Sequence, residues 1–445
     1  MIARVLDRAA RGGRAADALW RRAERTGVVF EAGRLKSAGT SEETGVNLRV
    51  IHEGRVGVAG TTATADADLD ALVARALASA ELGEPLDFAF PARCPLPAVH
   101  TYAPAAAEAP LHRLVALGRD LVQRLTRDGC QVNVAVERAV GDTAVENTAG
   151  AAGGYRASAV SVSADVTRIA GDDVLMVYDA HLGAELPTAA EVEALAHSVV
   201  TRLDLALRVV DPPEGPLPVV FTPAGLAAIL LPLEQALSGK SVLQGVSPLG
   251  HRRGETAFDA RLSVTDDPLV PARAGSRPVD DEAVPSAVTA LIERGTVRAF
   301  AYDLETAARA GAASTGHGHR GIFGKPRIGY TNLVVGNGPG AAQRKTGNVQ
   351  RVGGGLLEGI TDGLLVDDLI GVGQGNFIGG AFSHPVGLAY RVRRGEIVGR
   401  VKDAAVAGAV YELLKRIGGW GDDGRWVGSR WSASLLLEGV SVARR

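Results

Sequence analysis

The chain has 445 residues, 46% hydrophobic and 22% charged, enough to bury a core and to exclude a wholly disordered chain. Forty-eight basic against 50 acidic side chains leave a formal net charge of −2, without the basic excess of a dedicated nucleic-acid protein. The 56 glycines, about 13% of the chain against a usual ~7%, lack collagen's three-residue period and predict many tight turns in a β-rich fold.

Residues 14–25 carry a helical spacing (Ala18, Leu19, Arg22, Ala23) with polar flanks and predict a helix. The first 25 residues hold no apolar run of signal-peptide length. No stretch of about 20 apolar residues occurs, so a cytoplasmic protein without membrane or nucleic-acid partners is expected. Val28-Val29-Phe30-Glu31 and Leu35-Lys36 predict strands, and Gly45 to Thr61 a hairpin turning at Glu53-Gly54. Asp66 to Ala80 predicts a helix, its aspartates near the positive end. A Pro/Ala-rich loop follows to Pro110, then a helix over 111–127. Val132, Val134 and Val136, then Val160, Val162 and Val166, alternate as strands do, and 191–207 predicts another helix.

Four prolines and a glycine between Arg208 and Pro218 mark the best boundary in the chain. The expected organisation is an N-terminal α+β domain over 1–207, a linker over 208–218, and a glycine-rich domain over 219–445. The second domain is expected to be mainly antiparallel β, barrel-like, with covering helices. Of its glycines, 21 fall between Gly311 and Gly387. It opens with a helix carrying the apolar stripe Leu226, Ile229, Leu230, Leu233, Leu237, with Thr222 as a cap and Pro232 inside. Arg261 to Val264 predicts a strand and Thr265-Asp266-Asp267-Pro268 a turn. Hairpins are predicted at Arg294-Gly295 and Arg394-Gly395, a helix over 404–417, and a closing strand over 430–442.

Short motifs carry little chemistry. His52-Glu53 has no second histidine at zinc spacing and sits in a turn. Gly336-Asn337-Gly338 and Gly371-Val372-Gly373-Gln374-Gly375 lack the strand–GxGxxG–helix context of a phosphate loop. His317 and His319, at i and i+2, could share a metal with His384 or His251, although nothing in the spacing selects a third ligand. Cys94 and Cys130 allow one disulfide and no disulfide framework.

The order of marks along the chain resembles the TldD/PmbA family, and within it the PmbA (TldE) branch. In the first half the marks are Gly45-Val46-Asn47-Leu48-Arg49-Val50 and Glu146-Asn147-Thr148-Ala149-Gly150. In the second they include Ala236-Leu237-Ser238-Gly239-Lys240, Thr265-Asp266-Asp267-Pro268 with Asp280-Asp281-Glu282, Ser314-Thr315-Gly316, Asn332-Leu333, Phe382-Ser383 and Arg394-Gly395-Glu396. The resemblance implies a two-subunit peptidase acting on unfolded peptides. Its TldD-type subunit carries zinc on His-Glu-x-x-x-His plus a distant cysteine, and its PmbA-type subunit usually lacks them. Anchored on Ala236-Leu237-x-Gly239, those positions fall on Leu230, Leu231 and Gln235, and no cysteine follows Cys130. The expectation is a non-catalytic subunit with no cofactor of its own, paired with a zinc-bearing TldD-type partner. Candidate peptide or partner contacts are Ser314, Thr315, Gly316, His317, His319, Asn332, Gly379, Ser383 and His384. The alternatives are a homodimeric peptide-binding protein without an enzyme partner, and a stand-alone metal-dependent hydrolase using His317 and His319.

Overall fold

The computed structural model describes residues 1–86, 88–336 and 352–445. The first half is built from α1 (Ile2–Ala9), β1 (Ala15–Glu31), β2 (Arg34–His52), β3 (Arg55–Thr61), α2 (Asp66–Glu81), α3 (Pro104–Ala107) and α4 (Leu111–Leu125). It continues with β4 (Cys130–Asn147), β5 (Ala152–Ala170), β6 (Asp173–Gly183) and α5 (Ala189–Ala206). The strands form one antiparallel sheet in the order β3-β2-β1-β4-β5-β6.

The helix expected over 14–25 is a strand. Its Ala, Leu and Arg residues have good helix propensity, but β1 pairs with β2 on one edge and β4 on the other along most of its length. Two ladders and burial of Ala16, Ala18 and Leu19 outweigh a weak local preference. The helix at this end is α1, whose Ile2, Val5 and Leu6 pack with Leu69 and Leu72 of α2 on Val46 and Leu48 of β2. Helices α4 and α5 cover the other part of the sheet through Leu114, Leu121 and Val199 against Val134, Val136 and Val162.

The second half contains β7 (Val209–Val210), β8 (Gly215–Phe221), α6 (Ala227–Ala236), α7 (Gly239–Leu243), β9 (Ser263–Asp266), β10 (Thr289–Glu293), β11 (Thr296–Val297) and α8 (Leu304–Ala310). Then come β12 (Gly318–His319), β13 (Arg327–Ile328), β14 (Leu333–Gly336), β15 (Asp362–Leu369), β16 (Ala381–Arg393), β17 (Glu396–Val401) and β18 (Ala404–Ala409). The chain ends with α9 (Val410–Leu413), β19 (Ile417–Trp420), β20 (Arg425–Val427), β21 (Arg430–Ser432) and β22 (Leu435–Arg444). Strands β15, β8, β22, β18 and β16 pair in sequence, and β16 pairs back to β15, so five strands close a ring. The architecture is α+β with the barrel expected of the second half. Within 208–218, β7 joins this sheet through β17 and Gly215 begins β8.

Both faces of the ring strands are buried. Val219 and Phe221 pack with the α6 stripe Leu226, Ile229, Leu230, Leu233 and Leu237, while Val220, Leu365 and Tyr390 pack with α4 and α5. Two further expectations fail. Residues 404–409 are β18, because this Ala-rich segment completes the ring between β16 and β22. Thr265 and Asp266 belong to β9 and pair with β10 and β14 instead of turning. The hairpins hold: Glu53-Gly54, Arg294-Gly295 and Arg394-Gly395 are two-residue turns with positive φ at both positions, matching the twist of the flanking strands.

Candidate functional site

The segment from Ser314 to Arg320 lies between the two halves, and several of its polar groups are tied down. Thr315 Oγ1 accepts from Tyr302 N at 2.7 Å, and Ser314 Oγ donates to Tyr302 O at 3.2 Å. His317 is buried; its Nδ1 sits 2.8 Å from Thr315 Oγ1 and 3.0 Å from Thr315 O. Its Nε2 lies 3.2 Å from Asp266 Oδ2, outside hydrogen-bond alignment. Gly318 N donates to Asp280 Oδ2 at 3.0 Å, and Arg277 reaches back to the carbonyls of Gly316 and Gly318. A side chain at Gly318 would meet Glu282, so this position accepts only glycine at the observed approach.

Beneath this segment runs a buried ion network that joins the halves. Arg49 on β2 donates from Nε and Nη2 to the two Asp17 oxygens at 3.0 and 2.7 Å, and from Nη1 to Glu282 at 2.5 Å. Arg320 donates to Asp17 at 3.1 Å and to Asn47 Oδ1 at 3.3 Å. Asp281 accepts from Arg21 Nη2 and from Arg320 N, both at 2.9 Å. Asn47 Nδ2 donates to the carbonyls of Ile322 and Gly324. Burial alone would raise the Asp17 carboxyl, but Arg320 and Arg49 hold it below its usual range. Burial, with Asp280 and Asp303 nearby, outweighs Arg49 and pushes Glu282 up to about 7. In the sequence, Asn47, Arg49 and Asp280 to Glu282 stand only as marks of the resemblance, with nothing to show that they meet. The available signal was an arginine and an asparagine inside the apolar run Val46 to Ile51.

His319 faces different surroundings. Burial, then Arg277 and Arg21, pushes its imidazole down to about 4. It lines a cavity with Thr331, while Asn332 beside it is wholly buried and donates to Asp267 O and Ser276 Oγ. Gly379, Ser383 and His384 do not line this cavity. Ser383 and His384 lie on β16, where His384 stacks on Phe382, and the neighbouring Gly380 packs on Tyr411. The structure therefore brings 314–320 and Asn332 together and leaves 379–384 elsewhere. Of the motif Gly336-Asn337-Gly338, Asn337 and Gly338 lie outside the described residues.

On α6, Leu230 is buried, Leu231 is half-buried beside Gly373, and exposed Gln235 donates to Ser241 Oγ at 3.1 Å. The next acidic side chain, Glu234, is paired with Arg430, and its carbonyl accepts from Tyr330 Oη at 2.6 Å. Two leucines and a primary amide do not fit a zinc ion, which takes thiolate, imidazole or carboxylate donors. Among the described residues no group of three or more His, Cys, Asp or Glu is placed to hold a metal. Cys94 and Cys130 are both free thiols.

A family model described as the PmbA/TldA metallopeptidase C-terminal domain matches residues 214–444, and one described as PmbA/TldA metallopeptidase domain 1 matches residues 16–80. The chain belongs to the PmbA/TldD metallopeptidase family. It is 27% identical over 245 residues to a metalloprotease of Methanothermobacter thermautotrophicus, covering 55% of this chain and 51% of that one. It is 27% identical over 227 residues to the metalloprotease TldD homolog of Haemophilus influenzae, covering 50% and 44%. The chain thus spans about half the length of the curated relatives it matches. The fold is that of TldE from Thermococcus kodakarensis, with TM-score 0.85, 23% identity and 96% of each chain covered. A Thermotoga maritima protein superposes with TM-score 0.86 at 20% identity over 99% of each chain. Among the described residues no helix is long and apolar enough to cross a membrane.

Proposed function

We propose that this family member is a PmbA/TldE-type subunit without a zinc site of its own, which pairs with a TldD-type, zinc-bearing partner to cleave unfolded peptides. The observation that carries the reading is the donor set on α6: Leu230, Leu231 and Gln235 stand where the resemblance puts the zinc-binding histidines and the glutamate base. A water-activating site needs an open metal position and a base beside it, and these side chains supply neither. The whole apolar face of α6 is used for packing against β8 and β15, which supports a structural role for the helix. The role left to the chain is to complete the peptide chamber of its partner.

The test is to purify the chain alone and together with a TldD-type partner, then measure zinc by elemental analysis and cleavage of an unfolded peptide. The expected result is zinc and cleavage only when the partner is present, with the two chains co-eluting. Stoichiometric zinc in the lone chain, or cleavage by it, overturns the reading.

A further inference from the structure

We propose that the open face of the first sheet is the docking site for a second copy of this chain. One side of the sheet lies under α4 and α5, and there Val28, Val134, Val162 and Val177 are buried. The alternate residues of the same strands point to the other side. Near the ion network that side is covered by the second half of the chain, where Leu19 packs with Val279 and Ala283. Beyond Arg21 the cover ends. No outward residue of Ala23–Val29 on β1, Gln131–Gly141 on β4, Ala157–Ile169 on β5 or Val174–Leu182 on β6 is buried.

A solvated sheet face is ordinarily polar. On this one Val29 is 39% exposed, and Ile169, Val174, Met176 and Tyr178 are each more than half exposed. The last four adjoin, since Ile169 pairs with Val174, and Met176 and Tyr178 follow on the same face of β6. Contiguous exposed apolar surface marks a contact site. The face runs about 40 Å along β5 from Ala157 to Ile169 and about 20 Å across β2, β1, β4, β5 and β6. That is roughly 800 Å², the share of one partner in a standard-sized complex. The relief of the face points to the occupant. Large side chains stand at the β6 end, whereas Gly27, Ala139, Ala159 and Ser161 leave the middle shallow. A two-fold axis through the face sets the raised end of each copy into the shallow part of the other, sheet on sheet at about 10 Å. Arg25 stands on the face among Glu43, Glu137 and Asp165, so opposite charges are available across the axis. The inference needs neither zinc nor a TldD-type partner, so it stands or falls apart from the subunit reading.

The experiment is sedimentation equilibrium of the full chain on its own. A dimer is expected at about 50 μM, dissociating on dilution. Met176→Lys at the raised end and Ala159→Lys in the shallow part should each weaken the dimer by roughly tenfold or more, because the contact then buries an unpaired charge. Both positions face solvent in the single chain, so thermal melts should show the variants folded. Leu82→Lys, at the exposed end of α2 on the other side of the sheet, should leave the dimer unchanged. A chain that stays monomeric at this concentration, or a dimer untouched by both face variants, overturns the proposal. So does a chain that is monomeric alone and co-elutes with a TldD-type chain only when this face is intact, since the occupant is then that partner.

Discussion

Arg49 and Glu282 stand 233 positions apart in the chain and meet through a 2.5 Å hydrogen bond at the junction of the two halves. Arg49 is 1% exposed and Glu282 not at all, so this contact and the fork from Arg49 to Asp17 are made in a water-excluded interior. Taking one partner away leaves charge with no solvent to stabilise it.

Arg49→Met should therefore destabilise the protein by about 3–5 kcal/mol, because Asp17 and Glu282 both lose their main donor. Arg49→Lys should recover only part of this, since an ammonium cannot reproduce the planar fork on Asp17. Urea denaturation of the three proteins at pH 7.5 decides it. A loss for Arg49→Met no larger than that of an exposed substitution would refute the clasp.

The pH dependence of stability carries two opposing contributions. Glu282 moves from an ordinary 4.5 up to about 7, so the native state keeps a proton that the unfolded state has released. Its contribution is full below pH 4.5 and is lost as pH rises through 7. His319 moves from 6.5 down to about 4, so the unfolded state holds the extra proton, and stability rises with pH from about 4 to 6.5. In the wild type the two partly cancel. Relative to it, Glu282→Gln should gain stability between pH 5 and 7 and His319→Asn should lose it between pH 4 and 6.5, each by of order 2–3 kcal/mol. Denaturant midpoints at four pH values test both signs.

Close approach makes a third prediction. A Cβ at Gly60 on β3 would lie 2.0 Å from the carbonyl oxygen of Ile322, in the second half of the chain. Gly60→Ala should cost at least about 1–3 kcal/mol, because backbone must move to admit the methyl group. At Gly141 on β4 the nearest atom would be 3.6 Å away, so Gly141→Ala should change stability by no more than about 0.5 kcal/mol. Thermal melts of the two variants distinguish steric exclusion from a general intolerance of alanine in these strands.

Turns of one type should differ in their tolerance of substitution. Gly54 and Gly295 both adopt left-handed backbone, at φ 70° and 79°. Nothing lies within 4 Å of a Cβ at Gly54, whereas one at Gly295 would be 2.3 Å from Phe258 O. Gly54→Ala should cost only the left-handed strain, about 1–2 kcal/mol, and Gly295→Ala clearly more. Equal losses would show that the contact at Phe258 yields freely.

The chain concentrates 21 glycines between Gly311 and Gly387. Many serve the chain's own packing: Gly318 against Glu282, Gly329 against the His319 ring, Gly363 against Pro218 and Gly387 against Asp368. Composition reported the need for close approach; it could not name what approaches. The candidate site was legible to a similar extent. Ser314 to His319 and Asn332 could be singled out as a segment, but their partners Arg277, Asp280 and Asp266 lie tens of residues away, and neither propensity nor spacing reports such pairs.

The residues alone determined what is local. A charged residue and a glycine between two strand-like runs mark a hairpin, since glycine takes the left-handed backbone of such a turn without a Cβ clash. The periodic stripe of α6 specified its buried face, and the order of marks along the chain specified the family. Only the tertiary structure decided β1 and β18, whose Ala-rich sequences favour helix in isolation and become strands because each is paired on both edges. It also decided that Arg49, Asp17, Glu282 and Arg320 form one buried cluster. A charge in an extended run reads the same whether it faces water or a carboxylate more than 200 residues away, and the difference exists only once the chain has folded back on itself.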